Sequence, residues 1–338
     1  MARRKARIPQ GKKLQPAPLT MTFSLDVSQA TQNRFTIDLS QCASLINRRF
    51  YRQGLQWGVS GFTVFSPDGS TGSVTIDKIP DTWVAGNAWV KGFSNWQKLN
   101  NEALAETESI KPKFLDYKVY MDPLHHLDGQ GANLIPIDST SVQYNLGEWV
   151  YSQQIIPATD GSDTTNPFDI IWTGQNYPAV SPATTRNAVS LIEGYAASRA
   201  LPDIADPNVP DDVYDVTGNT PENWMSATFN EGTRQADAVL ADLATENDQA
   251  PYPFENDGAN ADTMYPGGAN QASGLEPHDI VYMTPTTVGG KSFLRGGLFS
   301  GGLVRVVTDT LVADELVLQV HLAPGSHRGY MCRSMKEV

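Results

Sequence analysis

Cysteine is almost missing from this chain: Cys42 and Cys332 are the only two in 338 residues. Two distant thiols without metal-ligand spacing exclude a disulfide framework and a cysteine-based zinc site, and both are read as reduced side chains. Long apolar runs are missing too. No window approaches the roughly eighteen apolar residues of a membrane-spanning helix, and no apolar stretch of about seven residues or more follows the charged N-terminus. Neither membrane insertion nor export by a signal is therefore expected. Acids are absent from the first thirteen residues, MARRKARIPQGKK, and bases are nearly absent from Asp203–Asp262.

Those two absences of one sign frame what is present. The first segment carries six bases, Arg3, Arg4, Lys5, Arg7, Lys12 and Lys13, on a chain whose net charge is −12. A basic stretch without apolar periodicity cannot bury enough surface to fold alone, so residues 1–20 are read as a disordered arm with a proline-marked hinge at 14–20. Its chemistry is phosphate binding, and the same peptide suits nuclear import. Without an apolar face or a lipidation signal it is a poor membrane anchor. Between Asp203 and Asp262, fourteen acids face one base, Arg234. This interval interrupts the strand rhythm, and 201–265 is expected to be a surface-exposed acidic insertion with one helix over Thr233–Thr245.

The remainder, 21–338, reads as one large β domain. Met21–Val27 and Phe35–Leu39 alternate apolar and polar residues, and a short helix capped by Ser40 should follow. Leu55–Phe65 and Ser73–Ile79, separated by SPDGSTG, read as a hairpin. Trp89, Phe93 and Trp96 have helical spacing, which predicts a helix anchored on the sheet. Further strands are expected at Phe114–Met121, Ser141–Tyr151, Phe168–Thr173, His278–Thr284, Leu303–Thr308 and Glu315–Leu322, with a helix around Ala183–Ala200. Strands that do not alternate regularly with helices argue against a parallel α/β sheet. The expected class is all-β, an antiparallel sandwich with long loop insertions and a few short helices.

Motifs for catalysis or metal binding do not survive their spacing. GGKS at Gly289–Ser292 resembles the end of a phosphate loop, but Pro285 stands where that loop needs glycine, and glycine-broken text replaces the helix it should open. His125 and His126, near Asp122 and Asp128, would point to opposite faces of a strand and cannot easily grip one ion, so they are read as a polar loop. No nucleophile elbow occurs and nothing selects a carboxylate pair, so the chain is not expected to be an enzyme, and no metal or other cofactor is expected. The stretch NRRFYRQG interleaves Arg48, Arg49 and Arg52 with Phe50 and Tyr51, offering phosphate contacts beside stacking rings. The same residues would equally suit a helix end at a subunit contact.

The arginine-rich arm, the proline hinge and the strand-rich body together resemble capsid proteins of small icosahedral viruses. The closer resemblance is to the capsid proteins of circular Rep-encoding single-stranded DNA viruses. It rests on INRRFYRQG (Ile46–Gly54), PDTWVAGNAWVKGFSNWQKLN (Pro80–Asn100), KFLDYKVYMD (Lys113–Asp122) and GSHRGYMCRSMKEV (Gly325–Val338). The resemblance implies a single jelly roll whose copies close into an icosahedral shell around single-stranded DNA, in a virion, with passage through the host nucleus. The arm bases, then Arg48, Arg49 and Arg52, would face the genome; the arm is short for that family. The competing expectation is a soluble β-sandwich that binds a carbohydrate or receptor and carries an incidental basic tail.

Overall fold

A computed structural model describes residues 17–27, 32–104, 116–156, 166–175, 186–199, 224–227, 274–310 and 314–337. The arm residues Arg3 to Lys13, the helix expected over Thr233–Thr245 and most of the acidic interval lie outside the described residues.

In chain order the strands are β1 (Thr20–Val27), β2 (Gln32–Asp38), β3 (Leu55–Phe65), β4 (Gly72–Lys78), β5 (Gln153–Ile156), β6 (Asn166–Ile171), β7 (Ala188–Ser190), β8 (Glu276–Met283), β9 (Lys291–Phe299), β10 (Leu303–Thr310) and β11 (Asp314–Leu322). Three short strands close the chain: β12 (Pro324–Gly325), β13 (Gly329–Tyr330) and β14 (Cys332–Ser334). The helices are α1 (Leu39–Asn47), α2 (Trp83–Ala103), α3 (Pro123–Asp128), α4 (Leu191–Arg199) and α5 (Trp224–Ala227).

Eight strands make the sandwich. One sheet has the order β1-β11-β3-β9, with β14 beside the start of β3, and the other has the order β2-β10-β4-β8; every pairing in both is antiparallel. Along the chain the strands alternate between sheets at each step except β4 to β8, which pair within one sheet across residues 79–275. That connectivity is a jelly roll. Period-two alternation places Phe23, Leu25, Ile37, Phe62, Val64, Val74, Ile76, Val304, Val306, Leu318 and Val320 in the core between the sheets.

Two features of this topology position the candidate site. The registers run Thr20 opposite His321 and Val27 opposite Asp314, so β1 begins where β11 ends. Of the described connections, 66–71 and 284–290 lie at one end of the sandwich. The other end receives α1, the described parts of the 79–275 connection, and the described chain ends at Ala17 and Glu337. That connection builds a second core from α2, β6, α4 and Trp224, closed against Leu303 and Met335 of the main body.

Several expectations are corrected. Leu55–Phe65 and Gly72–Lys78 are strands but not a hairpin, because they belong to opposite sheets; the intervening turn text is long enough to cross the ~10 Å between them. α1 is capped by Asp38, whose Oδ1 accepts from the Ser40 and Gln41 amides at 2.9 and 3.2 Å, rather than by Ser40. α2 packs chiefly on α4 and the C-terminal turn Met335–Glu337. Of the expected strand at Phe114–Met121, the described part is extended with one bridge at Tyr120, and Ser141–Tyr151 is a loop with one bridge at Gln143. The helix near Ala183–Ala200 begins only at Leu191, after the short β7. The glycine-broken run after GGKS continues as β9 to Phe299. Gly296 is required there because a Cβ would stand 2.2 Å from the Val59 carbonyl oxygen of β3.

His125 and His126 are not in a polar loop. Both lie on α3 and are buried. Trp224, inside the acidic interval, is also fully buried, with its indole N–H donating to the Ser190 carbonyl at 2.9 Å. At that point the interval is pinned to the second core.

Candidate nucleic-acid interface

The segment after α1 is built to present side chains at the end of the sandwich that receives α1. α1 stops because Arg48 turns into the left-handed region (φ 52°) and its amide reaches back to the Ser44 carbonyl. The chain then runs Arg49-Phe50-Tyr51-Arg52-Gln53-Gly54 into β3, alternating outward and inward. Arg49, Phe50 and Arg52 are exposed while Tyr51 and Gln53 are buried. Gln53 locks this run to its surroundings. Its Oε1 accepts from the Val119 amide at 2.7 Å, and its Nε2 donates to the Val119 carbonyl and to Asp38 Oδ2, both at 3.1 Å. Gly54 holds φ 89° and lies so close to Trp89 that a Cβ would be 2.2 Å from the indole ring. Only glycine brings α2 this near the loop.

The C-terminus returns to the same place. Ala17–Leu19, the root of the arm, runs past Tyr330, whose hydroxyl donates to the Pro18 carbonyl at 2.9 Å. Tyr330 packs against Tyr51 and Trp57, with ring centroids 5.7 and 5.4 Å apart. Next to it, Arg328 takes a left-handed conformation (φ 51°) and donates from Nη1 to the Phe50 carbonyl at 2.7 Å, its guanidinium 5.7 Å from the Tyr51 ring. β14 then pairs with the start of β3, and the following turn buries Met335 in the second core while leaving Lys336 exposed.

These elements enclose a cleft of about 860 Å³. Phe50, Tyr51, Trp89, Phe93 and Tyr117 supply aromatic walls, and Arg49, Arg52, Arg328 and Lys336 supply the charge. Among the described residues that line it there is no carboxylate. His327 also lines the cleft, and burial with the neighbouring Arg328 holds its pKa below the ordinary histidine value. The cleft therefore combines positive charge with flat apolar surface, a pairing suited to phosphate and base together.

Of the three expected body arginines, the structure brings Arg49 and Arg52 to the cleft and leaves Arg48 at the helix cap outside its walls. The sequence reading missed Arg328, Lys336, Trp89, Phe93 and Tyr117 as members of the site. The signal for the first two was present in HRGYMCRSMK, a basic run with an aromatic at its centre. The three rings lie far from NRRFYRQG along the chain, and only folding joins them.

The remaining candidates do not form a competing site. His125 Nδ1 accepts from the Met121 amide at 3.0 Å, so its proton sits on Nε2, which donates to Asn133 Oδ1 at 2.7 Å. His126 meets Asp169 at 3.1 Å. Among the described residues no group of three or more His, Cys, Asp or Glu could hold a metal ion, and no helix is long and apolar enough to cross a membrane. Both cysteines are free, and burial pushes the Cys332 thiol up to about 12. Comparison with known proteins gives no match to a family model, a curated protein or a solved structure.

Proposed function

We propose that this chain is the coat protein of a single-stranded DNA virus, many copies of which close into an icosahedral shell and hold the genome through cationic contacts. The observation that carries this reading is where positive charge gathers. The root of the arm packs on Tyr330, which packs in turn on Tyr51 of the cleft, at the end of the sandwich where the described chain begins at Ala17. The arm, with its six bases, joins the body at Ala17, beside a cleft with four more cations.

The rest of the molecule fits a subunit of this kind. A jelly roll with short connections at one end and its charge at the other has two chemically different ends, as a shell with an inside and an outside requires. Subunits of net charge −12 repel one another, and a bound polyanion that engages the arms offsets that repulsion. Electron microscopy of the purified full-length protein tests the reading. Uniform spheres are expected; a stable monomer in sedimentation would overturn the coat reading in favour of a sandwich binding module.

A further inference from the structure

Cationic contacts account for affinity towards any nucleic acid, but they do not explain a preference for single strands. The cleft has the chemistry for that preference. Resting on the proposal that this site meets DNA, we infer that the cleft is a base slot: it admits an unstacked base of single-stranded DNA against its aromatic walls while the flanking phosphates lie on Arg49, Arg52, Arg328 and Lys336.

Three observations support the slot. The volume, about 860 Å³, is in the range of pockets that enclose small organic ligands and exceeds what a bare phosphate needs. Next, the walls contain an unmet hydrogen-bonding group. Trp89 is only 7 % exposed, yet its indole N–H has no acceptor among the described residues, and base edges carry carbonyl and ring-nitrogen acceptors. Finally, Phe50 leaves a large apolar ring 38 % exposed among cations, with its backbone fixed by Arg328. A ring held rigidly beside arginines gives a base a stacking surface with little ordering left to do. Trp89 and Tyr117 are buried in the walls. Bases within a duplex are stacked on each other and cannot reach such walls, whereas an unpaired base can.

The slot separates from simple charge attraction in a binding experiment on the full-length protein. A thymidine decamer and an abasic decamer carry the same phosphates, so the arm and the cleft cations act equally on both. Titration followed by tryptophan fluorescence at one salt concentration should show the thymidine decamer binding about tenfold more tightly or better. Phe50→Leu alters an exposed side chain and no charge. It should weaken thymidine binding about fivefold or more and leave abasic binding unchanged. Trp89→Phe keeps the ring and removes the donor, and should act in the same direction. Arg52→Gln should weaken both decamers by one factor. Equal affinity for the two decamers, or equal losses on both in Phe50→Leu, would overturn the slot. A chain that forms spheres yet binds both decamers alike loses only the slot; a monomer that still prefers thymidine loses only the coat reading.

Discussion

Arg305 sits in the middle of β10, opposite Thr36 of β2 on one side and Asp77 of β4 on the other. Its neighbours Val304 and Val306 point into the sandwich core, so alternation turns its side chain outward, where LVRVVT alone would leave it in solvent. It is nevertheless only 2 % exposed and forms an ion pair with Asp122, which also accepts from the His125 amide at 2.9 Å. The guanidinium Nε and Nη1 have no acceptor among the described residues. Such a pair is costly to desolvate and more costly to break, because the survivor is left as a lone buried charge. Arg305→Met should therefore lose about 3–5 kcal/mol in urea unfolding, and adding Asp122→Asn should recover much of that loss. A single-variant loss below about 1 kcal/mol would mean that the pair is well solvated and does not clamp the segment around Asp122 to the sheet. This residue also shows why part of the structure was illegible. Alternation gave the outward direction of Arg305 correctly, but its burial depends on residues more than 180 positions away in the chain.

Elements were more legible than their pairings. All eight sandwich strands but β9 were readable from period-two text, and α2 was readable from Trp89, Phe93 and Trp96. The hairpin failed because turn residues specify a reversal in the chain without specifying which sheet the next strand joins. α3 failed for another reason. In DPLHHLDG, Asp122 caps the helix and Pro123 opens it, a start signal outweighed by the polar look of paired histidines. The mistake matters because His125, fully buried on that helix, is held neutral. Burial lowers its pKa from 6.5 to about 3, with Arg305 and His126 acting in the same direction against the hydrogen bond to Asn133. The unfolded chain then binds a proton that the folded chain refuses, so this group makes stability fall as pH drops below about 6.5. Asp38 opposes it: burial pushes its carboxyl up to about 6 despite four donors, so the folded chain gains stability as pH falls from about 6 towards 4. Asp77 and Asp122, whose carboxyls burial also raises, act on the same side as Asp38, so wild-type unfolding midpoints should not fall between pH 7 and 5. His125→Asn removes one side of that balance, and its stability relative to wild type should rise by roughly 2 kcal/mol over the same interval. Parallel pH dependences of the two proteins would show that His125 is not held neutral.

For the whole molecule, the quantity on which the proposed function rests is the distribution of charge, and it was largely legible. The arm and the acidic interval follow from counting, whereas the four cleft cations reach one place only through α1, the C-terminal return and the crossing of α2 over Gly54. Their joining changes the expected energetics of DNA binding. Each phosphate contact to a single strand contributes about −0.7 to the slope of log K against log salt. Ten engaged cations, six in the arm and four in the cleft, would give a slope near −7, and deletion of residues 1–13 should bring it to about −3. The deleted chain has a net charge of −18, obtained from −12 by removing six positive charges, so its subunits repel more strongly. Shells of the shortened chain should therefore need higher salt to assemble, because screening over a Debye length of about 8–10 Å weakens repulsion between exposed charges. They should also carry much less DNA, read as a lower ratio of absorbance at nucleic-acid and protein wavelengths. The thymidine preference over abasic DNA should persist in the shortened chain, since the cleft is intact. If the salt slope and the DNA content are both unchanged by the deletion, the arm is not a genome contact, and the charge that matters lies entirely in the folded body.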